Sequence, residues 1–233
     1  MECSAASRLG LLRSHVGAGD TRRFCLPCAK QDIFEHGYPY WRRGFSLPGF
    51  LVCPYHLEPL VQMPVSECVP AERALELPHL TRQRSQLDTA VIPTLASIAG
   101  AYVRLIKHRE RVAINSTFYE AIYTELGLMT VGGSVRQSQV TAQVRDFLRD
   151  YSAYAPYDRL LEAMKVERNW VAKLAEPKPN FHHPLKHIVV WLSFGLTVDD
   201  VFNTAHGTHH QLGLDLAVDD DPPDNEEIFD VFA

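Results

Sequence analysis

Apolar residues recur at helical spacing between Leu87 and Lys107, where Val91, Leu95, Ile98, Tyr102, Leu105 and Ile106 define one face. The pattern predicts an amphipathic helix, and its basic end, Arg104 to Arg109, suits a helix C-terminus. A second helix is predicted from Thr117, as its cap, through Leu126, with Gly127 ending it. Gly132-Gly133-Ser134 breaks the chain again. A third helix follows over roughly Gln137 to Tyr151, with Val140, Val144, Phe147 and Leu148 inward. Helix, glycine-containing turn, helix is the outline of a helix-turn-helix unit. Further on, Pro184 takes the first turn of an apolar helix that continues through Ile188, Val189, Trp191, Leu192 and Phe194.

Between residues 57 and 80, Pro59, Pro64, Pro70 and Pro78 leave room only for a short helix, Ala71 to Leu77. This is a linker. In front of it lie two turns of metal-knuckle spacing: Cys25-Leu26-Pro27-Cys28 and Cys53-Pro54-Tyr55-His56, separated by 24 residues. Two intervening residues let both ligands of a tight turn reach one ion, and the intervening chain is long enough to fold back as a ribbon. Three sulfurs and one imidazole close a tetrahedron and leave no position for water or substrate. The spacing therefore predicts one structural Zn2+ rather than a reaction centre. Tyr40 and Trp41 supply apolar mass to a module too short to bury much core. Arg42 and Arg43 follow directly and cannot both be core, so at least one faces solvent or a phosphate backbone.

The fold class expected is mainly α with a small zinc ribbon: a zinc module with its proline-rich linker over residues 1–80, a helix-turn-helix-type domain over 81–212, and a tail over 213–233. With 233 residues and 46% hydrophobic content, the chain can bury a sizeable core. No apolar run reads as long enough to span a bilayer. Residues 1–20 lack the pattern of a secretory signal, and Cys3 and Cys68 are left as free thiols once the metal takes its share, so a cytoplasmic location is expected.

The net charge of −5 conceals an asymmetry, because residues 191–233 hold ten acidic side chains and no lysine or arginine. Residues 219–227 have the charge and prolines of a segment that cannot fold alone, ending in Ile228-Phe229-Asp230-Val231-Phe232. That end is a solvated tail, a docking peptide or a mask over a basic face. The rest of the chain is mildly basic, which permits nucleic-acid binding without demanding it. On the predicted 137–151 helix, Arg136, Gln137, Gln139, Gln143 and Arg145 offer the guanidinium and amide groups that pair bidentately with guanine and adenine edges. A plain solvated face is the competing reading.

His183 and His187 stand four apart, but no glutamate base accompanies them and no third ligand is evident, so they are expected to cap and pack their helix. His206, His209 and His210 are expected in a polar loop past its end. No phosphate loop, nucleophile elbow or metal-nuclease carboxylate pattern occurs, and the chain does not read as an enzyme.

The knuckles, Asp32, Gly37, Tyr40-Trp41-Arg42-Arg43, Leu47-Pro48-Gly49 and Cys53-Pro54-Tyr55-His56 with Leu60 resemble the zinc-finger half of the TniQ/TnsD family of transposon target-selection proteins. Phe45-Ser46 stands where many relatives have His-Gln. Leu126-Gly127-Leu128, Thr130, Gly133, Val135-Arg136-Gln137, Phe147, Trp170, Leu174 and His183-Pro184-Leu185-Lys186-His187 are similar to the DNA-binding half of TnsD. The resemblance covers about residues 22–205 and lacks a further helical segment that relatives carry ahead of the ribbon. It implies a sequence-specific binder of a double-stranded DNA target site that recruits the AAA+ ATPase TnsC. The alternative is an adaptor with weak DNA contact, positioned by an RNA-guided or other targeting complex. A metal-dependent nuclease or hydrolase is a third class, for which no residues are found.

Overall fold

The computed structural model describes residues 21–64, 86–107, 114, 116–166, 169–176 and 182–211. The linker helix expected at Ala71–Leu77, Cys3, Cys68, Arg109 and the acidic tail lie outside these residues. The chain forms two compact units that divide between Val103 and Arg104.

The first unit begins with strand β1 (Thr21–Phe24), paired antiparallel with β2 (Val61–Pro64) so that Thr21 faces Pro64 and Phe24 faces Val61. The expected ribbon is thus built differently. Its strands lie outside the two knuckles, and the segment between them forms helix α1 (Leu26–His36) followed by a 3-10 turn, Arg43–Ser46. Pro27 sits in the first turn of α1, where a missing N–H costs nothing. Gly37, at φ 81°, ends the helix and donates its N–H to the Ile33 carbonyl at 2.9 Å. Cys28, Ala29 and Asp32 form the buried stripe of α1.

Phe24, Phe45 and Phe50 are fully buried, whereas Tyr40 and Trp41 are only half-buried. Phe24 meets Trp41 edge-on, with ring centroids 5.7 Å apart. A 3-10 turn, Thr89–Val91, capped by the Asp88 carboxylate, leads into helix α2 (Ile92–Lys107). Val91, Leu95, Ile98 and Tyr102 are buried as the periodicity predicts, but Ile106 is exposed, past the end of the unit it would pack on. Tyr102 packs on Phe50 and donates its hydroxyl to the Pro48 carbonyl at 3.0 Å. Contrary to the expectation that no apolar run is long enough, the 19 residues Thr89–Lys107 could cross a membrane by length and composition alone. The burial of Leu95, Ile98, Ala99 and Tyr102 makes this a core helix of its unit.

The second unit contains α3 (Ser116–Glu125), α4 (Gln137–Arg149), α5 (Tyr157–Glu162), α6 (Trp170–Leu174), α7 (Pro184–Ser193) and α8 (Val198–Gln211). Helix α7 is apolar nearly all round and occupies the centre, with Leu185, Ile188, Val189, Val190 and Trp191 buried. Helices α4, α6 and α8 pack on it, and α3 packs on α8. Phe118 and Tyr119 of α3 reach Trp191 and His187 of α7. Thr117 lies inside α3 rather than capping it, while Gly127, at φ 66°, follows its end as expected.

The connection between α3 and α4 is a small hairpin, not a tight turn. Met129 bridges Val135, and the Thr130 N–H bonds to the Ser134 carbonyl at 2.8 Å. Thr197 and Asp200 cap α8 reciprocally: Asp200 Oδ2 accepts from the Thr197 N–H at 2.8 Å, and Thr197 Oγ1 accepts from the Asp200 N–H at 3.2 Å. Helix α8 runs on through Gly207, so His206, His209 and His210 lie in a helix and not in the expected loop. With so strong a cap at its start, one interior glycine costs only about 1 kcal/mol and does not stop it.

Candidate metal centre and helical face

Cys25 is the residue before α1, and Cys28 lies in its first turn, so the helix start places both sulfurs on one side. Cys53 and His56 come from a hairpin tip. There Val52 bridges Pro59, the Cys53 N–H bonds to the Glu58 carbonyl at 2.9 Å, and Leu57 turns back at φ 53°. The four ligand atoms lie within 4.8 Å of one another. Cys28 Sγ is 3.7 Å from Cys53 Sγ, and His56 Nδ1 is 3.5, 3.3 and 3.5 Å from the sulfurs of Cys25, Cys28 and Cys53. Metal–sulfur bonds of about 2.3 Å at tetrahedral angles require sulfur–sulfur edges of roughly 3.8 Å. The geometry fits, and these four residues can hold a metal ion through three sulfurs and the imidazole Nδ1. Close contact sets the three thiols apart: hydrogen bonding from Cys25 and then Cys28 draws the Cys53 thiol down, while its neighbours push the Cys28 thiol up.

Around the cluster, Asp32 is 1% exposed and pairs with Arg42, whose Nη2 lies 2.5 Å from its carboxylate. The Arg42 guanidinium stands over the Tyr40 ring, 5.3 Å from its centroid. Of the two adjacent arginines, Arg42 is therefore committed within the unit and Arg43 is exposed. The partnership of Asp32 with Arg42 was not read from the sequence, although a buried acid on the knuckle's own helix face signals a need for a cation.

On α4, Val140, Val144 and Leu148 are fully buried and Phe147 is half-buried. Ser138, Gln139, Ala142, Arg145 and Arg149 are exposed, on the side away from that buried stripe. Arg136 occupies the cap position and is also exposed. The five polar residues singled out by composition differ in what they do. Gln137 donates to Thr141 Oγ1 at 3.3 Å, and Gln143 donates to the Ser193 carbonyl at 2.7 Å, tying α4 to the end of α7. Among the described residues, the side chains of Arg136, Gln139 and Arg145 make no such tie. Arg149, omitted by the sequence reading, pairs with Asp146 at 2.7 Å on the same exposed side, and its helical spacing from Arg145 would have found it.

The start of α7 gathers histidines around a lysine. His183 caps the helix, its Nδ1 accepting the Leu185 N–H at 3.2 Å, and burial followed by the charge of Lys186 lowers it to about 4. His187 Nδ1 shares a hydrogen bond of 2.6 Å with the Tyr119 hydroxyl, and burial lowers its pKa to about 3. Lys186 lies over the Trp170 ring and is lowered by burial to about 8. The histidines thus cap and pack. The Cys25, Cys28, Cys53 and His56 group is the metal-type cluster found among the described residues.

Fold and site together define a mainly helical protein whose small front unit is organised around a Cys3His metal-type cluster. Residues 105–215 match the family model TnsD, Tn7-like transposition protein D. The match takes in a little under half of the chain, on its helical unit, and supports the TnsD/TniQ family of transposition proteins. No curated protein matches it.

Proposed function

We propose that this protein selects a transposition target by binding double-stranded DNA in a sequence-dependent way and recruiting an AAA+ ATPase of the TnsC type. The observation that carries this reading is the TnsD match, which falls on the helical unit bearing the exposed Arg136, Gln139 and Arg145. Arg136 and Gln139, at the start of α4, suit base edges, with Gln137 and Gln143 partly spent within the fold. Arg145 and, on the front unit, Arg43 suit phosphate contact, as would Arg42 if it left Asp32. Zinc is the metal assigned to Cys25, Cys28, Cys53 and His56, as a structural cross-link with a closed set of ligands. The protein acts in the cytoplasm without catalytic chemistry of its own.

The adaptor reading, in which a guide complex supplies the address, differs in one measurable respect. A direct selector holds its site about 4 kcal/mol or more tighter than bulk DNA, whereas an adaptor shows only salt-sensitive background. Competition of bound duplex by genomic fragments and by random DNA, at two salt concentrations, separates them. Equal competition by every sequence would overturn direct selection.

A further inference from the structure

Asp32 follows Cys28 by four residues on α1, so the two side chains lie one turn apart on the same buried stripe. Side chains of a helix lean toward its N-terminus, which tilts the Asp32 carboxylate back toward the metal cluster. The guanidinium that binds this carboxylate is therefore anchored to the same buried stripe that carries Cys28, and it feels the Cys28 charge. One atom of that guanidinium, Nε, is buried and has no hydrogen-bond partner. An orphaned buried donor is costly, and a charged donor more so. Three thiolates and a neutral imidazole on a divalent ion leave one negative charge in a buried site, and metal-bound thiolates are hydrogen-bond acceptors.

We propose that Arg42 is a positioning residue of the metal centre: it bridges Asp32 and the metal-bound sulfur of Cys28, donating through Nη2 to the carboxylate and through Nε to the thiolate. This rests on the metal reading above and adds a residue to it. Arg42 then serves the retention of the ion, and Arg43 beside it stays exposed. A bare charge would not suffice, because lysine cannot present two donors in a fixed fork.

The test uses the full chain loaded with zinc or with cobalt(II), comparing wild type, Arg42→Lys and Arg42→Ala. Release of zinc to a chromogenic chelator should be about tenfold faster or more in both variants, the usual scale for losing an outer partner of a metal ligand. The sulfur-to-cobalt charge-transfer band of Arg42→Lys should move to lower energy, because a thiolate without its N–H donor is the better electron donor. A purely structural arginine would not produce that shift. If Arg42→Ala fails to fold, the band and release rate of Arg42→Lys still decide the matter. A wild-type cobalt band and wild-type release from Arg42→Lys would overturn the bridge while leaving the metal site standing. Failure of the wild-type chain to take up either metal would overturn the metal reading and the bridge with it.

Discussion

Lowering the pH from 7 to 5 should loosen the helical unit through His183 and His187. Each ring is useful only when neutral. Nδ1 of His183 accepts the Leu185 N–H, which a protonated ring cannot do, and the His187 ring is packed against Tyr119 and Trp191, where burial disfavours its charged form. Burial, as the leading cause, lowers the pair to about 4 and about 3, whereas both titrate at 6.5 in the unfolded chain. The unfolded state therefore binds more protons over this range. Their contribution is fully present above pH 6.5 and is lost as pH falls toward the folded values. At about 1.4 kcal/mol per pH unit, each histidine forfeits roughly 2 kcal/mol by pH 5, or about 4 kcal/mol together at most. That is a large share of a typical domain stability of about 5–15 kcal/mol. Lys186, lowered to about 8, is protonated in both states between pH 5 and 7 and adds no slope.

Trp41 is the only one of the three tryptophans outside the helical unit, so in a Trp41→Phe variant the denaturant unfolding signal comes from Trp170 and Trp191. His183→Asn keeps a good cap without a titrating group and should recover about half of the loss. A helical unit equally stable at pH 7 and 5, or a His183→Asn variant as acid-sensitive as wild type, would refute the argument.

Three further outcomes are expected. Cys28→Ser or Cys53→Ser should lower bound zinc below one equivalent and melt residues 21–64 while the α3–α8 signal persists, by metal analysis and circular dichroism; fully folded protein with no metal would count against a structural ion. Gln139→Ala should relax preference at about one base pair, costing roughly 1–3 kcal/mol, whereas Arg145→Ala should weaken all duplexes alike in a binding titration. Removing residues 215–233 should strengthen binding to non-specific DNA at low salt, an effect that fades as the screening length shortens to about 8 Å at physiological ionic strength; equal affinities at low salt would leave the tail with no masking role.

The metal cluster was legible because its chemistry is local: two residues between ligands is a statement about one turn. What surrounds it was not. The strands of the ribbon pair Phe24 with Val61, a match made across the whole knuckle region that no window of sequence contains. Helix α1 is marked in the sequence by Pro27 and Gly37, but knuckle spacing alone fits a chain that folds back as a ribbon equally well. The buried stripes of α2 and α4 followed from periodicity because each packs one face. Helix α8 was not legible, and its histidines read as a polar loop around Gly207, since its strength lies in the Thr197–Asp200 cap ten residues away and not near the glycine. Among the polar residues of α4, composition proposed Gln143 and Gln137 alongside Gln139. Only the fold distinguishes them, by bringing the Ser193 carbonyl within reach of Gln143 and Thr141 beside Gln137.

The most direct measurement of the central claim is selection of bound duplexes from a random DNA pool by the purified, metal-loaded chain. A target selector should enrich one motif over successive rounds, and Gln139→Ala should blur that motif at a defined position. A pool that stays random after repeated rounds, with binding that only falls as salt rises, would contradict direct target reading by this protein.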